Sequence, residues 1–242
     1  MPSRSSIPLS PALSLEQCND QELTGTALSG KNIVITGGAS GVGAALAETF
    51  AGNGAYVNIL DINESLGTAH AASLQAKGYH AQFIHCDLTS WPAQAAAFAT
   101  AAAFDPSSPP TIHTVIACAG VLGTPFITAS PPSSPAAPPP PDTTPYLVNA
   151  IALHYTASLA THHFSTSASP PANHHHLILL TSMLAYLDFP NAAAYTASKH
   201  AARGLFRILA PLLARRGTAR VNAVAPWQGA RGGTGSRVGY AG

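Results

Sequence analysis

Charge is scarce in this chain. Asp, Glu, Lys and Arg make up 9% of its 242 residues, and the formal net charge is +1. Such a surface lacks the cations needed to neutralise a run of phosphates, so a nucleic-acid partner is disfavoured. Cysteine is rare too. Cys18, Cys86 and Cys118 are an odd number at wide spacings, without the close pairs of metal sites or disulfide frameworks, and they suit a reducing compartment. No apolar run reaches membrane-spanning length. Residues 1–30 carry Arg4, Glu16, Asp20 and Glu22 and lack both a signal-peptide core and the Arg-rich, acid-poor composition of a transit peptide. The expectation is a cytoplasmic protein with no membrane partner.

Hydrophobic residues, at 46%, are sufficient for a sizeable core in one domain. Short apolar runs alternate with Ala-rich helical stretches, the pattern of βαβ units and a parallel sheet. The runs predict strands over Asn32–Thr36, Ala55–Leu60, Ala81–His85, His113–Ala117, Leu177–Thr181 and Arg220–Val224. Helices are predicted over Val42–Ala51, Ser65–Ala76, Pro92–Ala103, Pro145–His162 and Ala192–Ala214. The fold class is therefore α/β, a three-layer doubly wound sheet of about six strands over residues 31–226, with a loose extension over 1–30 and an irregular tail over 227–242. Residues 124–145 are dense in Pro, Ser and Ala, with Pro138 to Pro141 in a row, and read as an extended surface loop.

Gly37-Gly38-Ala39-Ser40-Gly41-Val42-Gly43 follows a predicted strand and opens a predicted helix. A pyrophosphate needs free backbone N–H groups at a helix N-terminus with no side chain in the way. Gly37 suits the tight turn, Gly41 the approach to phosphate and Gly43 the packing of helix on strand. Such a loop alone also fits an ordinary strand-to-helix turn. Asp61, about twenty residues on, adds a carboxylate for an adenosine ribose, and it would repel the extra phosphate of NADP. Neither Ser40 nor Ile62 supplies a cation to hold that phosphate, so NAD is favoured over NADP.

Tyr195 and Lys199 are four apart on a predicted helix and share a face. A tyrosine exchanges a proton near neutrality only if a positive charge stabilises its phenolate, since its free pKa is about 10. Ser182 stands at the carboxyl end of a predicted strand, where parallel sheets place ligands.

These residues carry a resemblance to the short-chain dehydrogenase/reductase family from about Lys31 to Pro226. The quoted motifs are Thr36-Gly37-x-x-x-Gly41-x-Gly43, Asp61, Asp87-Leu88, Ala119-Gly120, Asn149, Ser182, Tyr195-x-x-x-Lys199 and Arg220-Val221-Asn222-x-x-x-Pro226. The resemblance implies an oxidoreductase on a Rossmann fold that moves a hydride between NAD(H) and a small-molecule alcohol or ketone. It makes Tyr195 the general acid/base, has Ser182 orient the reacting oxygen, and has Lys199 lower the tyrosine pKa and hold the ribose. Asn149 would anchor a water in the proton relay. Gly37, Ser40, Gly41, Val42, Gly43, Asp61, Asp87, Leu88, Ala119, Gly120, Tyr195, Lys199 and Pro226 would line the cofactor, with Asp87 by the adenine. It further implies a homodimer through the helices carrying Asn149 and Tyr195.

Three departures stand out. Ala117 and Cys118 occupy positions where the family usually has asparagines, so bracing of the central sheet is expected to be lost. The stretch from Gly120 to Asn149 is long and Pro-rich. The family's Pro-Gly, substrate loop and seventh strand have no visible counterpart after Pro226. The last point gives a second expectation, a nicotinamide-binding protein of weak or no turnover. A third is an interaction module using the Pro-rich loop as ligand. His174, His175 and His176 are consecutive and so do not converge on a metal ion; they read as a solvated loop before a strand.

Overall fold

The computed structural model describes residues 26–125, 140–166, 175–189 and 191–227. Six parallel strands form one sheet: β1 Asn32–Thr36, β2 Tyr56–Asp61, β3 Ala81–His85, β4 Thr114–Ala117, β5 His176–Leu180 and β6 Arg220–Val224, in the order β3-β2-β1-β4-β5-β6. The chain winds outward from β1 in both directions, which leaves a crevice at the carboxyl ends of β1 and β4. Predicted strand ends differ by at most one residue, as at β2, β4 and β5.

Alternation along each strand divides the core in two. Ile33, Ile35, Val57 and Ile59 face α1 (Gly41–Gly52) and α2 (Glu64–Ala76), whereas Val34, Leu60, Val115, Leu177 and Leu179 face α3 (Trp91–Ala102), α5 (Leu153–Thr166) and α6 (Ala193–Arg215). The expected three layers are thus present. Helices α2 and α3 start where Asn63 and Ser90 side chains accept the Leu66 and Ala93 N–H groups. Towards β6 the layer of α1 and α2 gives out, and among the described residues Val224 stays half exposed. No described helix is long and apolar enough to cross a membrane.

The helix expected over Pro145–His162 is a composite. A single turn, α4 (Thr144–Tyr146), runs into a π segment, Leu147–Ala152, and then into α5. A π segment inserts an extra residue per turn, which composition does not register. Just before it, the Asp142 carboxylate accepts the N–H groups of Thr124 and Thr144, each at 2.9 Å, so the two ends of the Pro-rich stretch meet at one side chain. The Thr144 hydroxyl and the N–H groups of Thr144 and Thr124 hold this carboxyl below the usual carboxylate range. The rest of that stretch, 126–139, lies outside the described residues, as do the extension 1–25, His174 and the tail 228–242.

Two other expectations are corrected. His175 is not in a solvated loop: it is buried, stacks on Phe164 at 4.9 Å, and sets its Nδ1 3.1 Å from the Ile112 carbonyl oxygen. The predicted solvation failed because the chain enters the sheet one residue later, at His176. Bracing at β4 is also not lost. The Thr36 hydroxyl accepts the Cys118 and Ala119 N–H groups at 3.2 and 3.4 Å, which joins the ends of β1 and β4 without an asparagine.

A buried amide chain braces the other side. Gln82 Nε2 donates to Asn58 Oδ1 at 2.6 Å, and Asn58 Nδ2 donates to Asn32 Oδ1 at 2.6 Å and to the Ile33 carbonyl at 3.0 Å. Asn32 Nδ2 donates onward to the carbonyls of Ala101 and Thr111. Each amide is satisfied only while its neighbour is present. Replacing Asn58 by Leu leaves the buried Asn32 Oδ1 without its donor and Gln82 Nε2 without its acceptor, and is expected to cost about 2 kcal/mol in urea denaturation. A loss below about 1 kcal/mol would show that the chain is not a brace.

Candidate active site and cofactor cavity

A cavity of about 380 Å³ occupies the crevice between β1 and β4, lined by the Gly37–Gly43 turn, Asp61, the loop after β3 and the Cys118–Val121 segment. Its geometry begins with three glycines. Gly37 has φ +68°, and a Cβ there would stand 2.7 Å from the Ala119 Cα. A Cβ on Gly43 would run into the Gly37 carbonyl oxygen. Gly41 has φ +54° with nothing near its would-be Cβ, so its open side is the cavity side. Gly37 and Gly43 are thus fixed by close backbone contact, and Gly41 by its left-handed conformation.

Ser40 is the N-cap of α1, yet its hydroxyl makes no capping bond. The first N–H groups of α1 and this hydroxyl together form a site that fits an anion at the positive end of a helix. Asp61 fastens the turn from the other side: Oδ2 accepts the Ala39 N–H at 3.1 Å and Oδ1 the Asn63 N–H at 3.0 Å. Each oxygen keeps a lone pair for a ribose hydroxyl. Asp87 binds the N–H and hydroxyl of Thr89 through Oδ1, at 2.9 and 2.7 Å.

Of the expected cofactor residues, Gly37, Ser40, Gly41, Val42, Gly43, Asp61, Asp87, Leu88, Ala119 and Gly120 line this cavity. Tyr195, Lys199 and Pro226 do not; the Pro226 carbonyl accepts the Met183 N–H at 3.0 Å, beside Ser182. Thr89, Val121, Val148 and Leu180 line the cavity without having been singled out. Only Thr89 had a legible signal, as the residue after Asp87-Leu88.

Asn149, Ser182, Tyr195 and Lys199 do not themselves line the cavity; Asn149 and Lys199 lie behind its wall, against Val121 and Gly120. The Ser182 hydroxyl oxygen caps the turn Met183–Ala185 by accepting the Leu184 N–H at 3.1 Å, and α6 packs on that turn. Lys199 is buried. Its Nζ donates to the Leu180 carbonyl at 3.1 Å, lies 5.5 Å from the Tyr195 ring centroid, and would be 3.4 Å from a Cβ on Gly120. The ammonium therefore reaches the wall of the cavity. Burial lowers its pKa to about 8, with the neighbouring Cys118 opposing the shift. The Cys118 thiol is itself pushed up to about 11 by burial, and Lys199 pulls it down.

Asn149, in the π segment, is buried and ties three pieces together. Its Oδ1 accepts the Val121 N–H at 2.8 Å, and its Nδ2 donates to the Val121 carbonyl and to Ser198 Oγ, each at 2.9 Å. Ser198 Oγ donates in turn to the Tyr195 carbonyl at 2.7 Å. One side chain thereby joins the cavity wall to the helical turn that carries Tyr195.

The model of the short chain dehydrogenase family matches residues 31–229. The chain belongs to this family of oxidoreductases. Among curated relatives of this short-chain dehydrogenase, a 5'-hydroxyaverantin dehydrogenase of Dothistroma septosporum is 37% identical over 83% of this chain and 67% of its own length. An NADP-dependent dehydrogenase M3 of Phoma sp. is 29% identical over 86% of this chain and 62% of its own. A solved NAD-bound xylitol dehydrogenase superposes with a TM-score of 0.69 at 26% identity, over 83% of this chain and 71% of that one. The chain thus spans about two thirds of the length of the curated relatives.

The buried ammonium has a measurable consequence. Below pH 8 both folded and unfolded chains carry the Lys199 proton, and the burial penalty is at its full size. Between pH 8 and 10.5 the folded chain gives up the proton first, so this residue's contribution to stability rises with pH. The stability advantage of Lys199→Met over wild type is expected to shrink by up to about 3 kcal/mol across that window. A gap that stays constant in urea denaturation from pH 7 to 10 would contradict a buried ammonium.

Proposed function

We propose that this short-chain dehydrogenase moves a hydride between NAD(H) and an alcohol or ketone, with Tyr195 as general acid/base. The observation that carries the reading is the Lys199 ammonium, held between the Tyr195 ring and the wall of a cavity whose other end offers free helix N–H groups. The nicotinamide, when bound, supplies the hydride acceptor or donor. Tyr195 takes the alcohol proton on oxidation and returns it on reduction. The buried Lys199 ammonium, 5.5 Å from the ring centroid, is placed to steady negative charge in the transition state of that proton transfer. Because Ser182 Oγ accepts the Leu184 N–H, its own proton is left to donate to the substrate oxygen.

Asn149 acts in this reading mainly by position. Both of its amide donors are engaged, so a relay water would meet only the second lone pair of Oδ1 or the main chain. An alcohol substrate agrees with the relative named for dehydrogenating a hydroxylated compound. Tyr195→Phe is expected to lower turnover by about 10²–10⁴-fold while weakening NADH binding by less than about tenfold in a fluorescence titration. Turnover retained in Tyr195→Phe would sink the assignment. Cofactor binding without turnover on a broad panel of alcohols and ketones would leave the chain as a nicotinamide-binding protein of little activity.

For the choice of cofactor, Asp61 and Ile62 line the cavity, and no described lining residue is Lys or Arg. A carboxylate there repels a ribose phosphate, which favours NAD, although one relative is named as NADP-dependent. NAD is expected to bind at least about tenfold more tightly than NADP, a difference of about 1.4 kcal/mol. The pair Asp61→Ser and Ile62→Arg should reverse that order. Equal affinities in the wild type would remove Asp61 as the discriminating group.

A further inference from the structure

Gln94 is out of place. It lies in the first turn of α3 with no exposed surface, on the face that packs against α5. An amide in such a position is costly unless every polar atom finds a partner. Here each one does. Nε2 donates to the Leu88 carbonyl at 2.5 Å and to the Ala152 carbonyl at 3.0 Å, and Oε1 lies 2.9 Å from the buried Thr156 hydroxyl. The amide's orientation is fixed by chemistry, because turning it over would point Oε1 at two carbonyl oxygens. Thr156 Oγ also lies 3.0 Å from the Ala152 carbonyl, but only its bond to Oε1 supplies that oxygen with a donor.

The two carbonyls that Gln94 joins belong to different parts of the site. Leu88 lines the cavity between Asp87 and Thr89. Ala152 is the last residue of the π segment, whose third residue is Asn149. A π turn has a close competitor in the α-helical register, so a bond to its terminal carbonyl bears on which register is kept. From Asn149 the connection continues through Ser198 to the Tyr195 carbonyl.

We propose that Gln94 is a positioning residue that couples occupancy of the Asp87–Thr89 edge of the cavity to the π turn carrying Asn149. The proposal rests on the reading of the cavity as a nucleotide-cofactor site. A ligand that fixes the Asp87–Thr89 loop fixes the Leu88 carbonyl. Through one amide it also holds the Ala152 carbonyl, and with it the turn from which Asn149 grips Val121 and Ser198. Two apolar side chains would fill the same space with no polar cost, but they would transmit nothing between the two carbonyls.

The test uses 5'-AMP, the adenosine half of the cofactor, so that no nicotinamide acts directly near Asn149. Amide hydrogen exchange over residues 147–153 is followed with and without saturating AMP in the wild type, Gln94→Met and Thr156→Val. Wild-type exchange in that segment is expected to slow by about fivefold or more on binding, the scale of an ordinary coupling between sites. Gln94→Met should still bind AMP, with affinity reduced by no more than about tenfold, and should lose the protection. Thr156→Val removes the donor to Oε1, together with the hydroxyl's contact to the Ala152 carbonyl, and should lose part of it; that variant carries the test should Gln94→Met fail to fold. Protection that persists in both folded variants, or wild-type binding without protection, overturns the relay and leaves the cofactor reading standing. Failure of the wild type to bind AMP overturns both.

Discussion

The site depends on how closely two pieces of backbone approach at the carboxyl end of the sheet. Gly37 lies against the Ala119 main chain, and Gly43 lies against the Gly37 carbonyl, with no room for a side chain at either place. That double contact brings the N-terminus of α1 over the crevice between β1 and β4. It also leaves the first helix N–H groups facing the cavity. Thr36 and Asp61 secure the arrangement from opposite sides, Thr36 through the N–H groups after β4 and Asp61 through Ala39. The Asp61 carboxylate thus has a structural task, holding the glycine turn, as well as the proposed task of meeting a ribose.

The second organising feature is Lys199, the one buried Lys or Arg among the described residues of a chain poor in charge. Lys199 has a main-chain carbonyl and an aromatic ring for neighbours, and a nearby thiol that burial keeps protonated. In such surroundings the ammonium exerts a stronger field than it would in water, and its proton is held more loosely. Both consequences would serve the general acid/base role proposed for Tyr195. The same burial makes the site dependent on rigid support, which Asn149 supplies by joining Val121 to the turn of α6 through Ser198.

Most of the frame was legible in the sequence because it follows from period and from glycine. The strands β1, β3 and β6 coincide with their apolar runs, and ten of the expected cofactor residues share one cavity. What escaped notice was polar and buried. Gln94 and Thr156 sit in helical stretches where a polar residue reads as solvent-facing, and their partners are main-chain carbonyls distant in sequence. Asn32, Asn58 and Gln82 were hidden in the same way inside strands. The π segment was invisible because one added residue in a turn leaves composition unchanged. His175 misled for the opposite reason, since a run of histidines looks polar although one of them stacks on Phe164.

The central claim is that the glycine turn and the Tyr195–Lys199 pair serve one bound molecule. A structure determined with NAD tests it most directly. The account expects the pyrophosphate on the N–H groups at the start of α1, the adenosine ribose on Asp61, and the nicotinamide ring ordered beside Tyr195 with Ser182 next to it. Pyrophosphate bound away from the Gly37–Gly43 turn, or a nicotinamide ring ordered away from Tyr195, would contradict it.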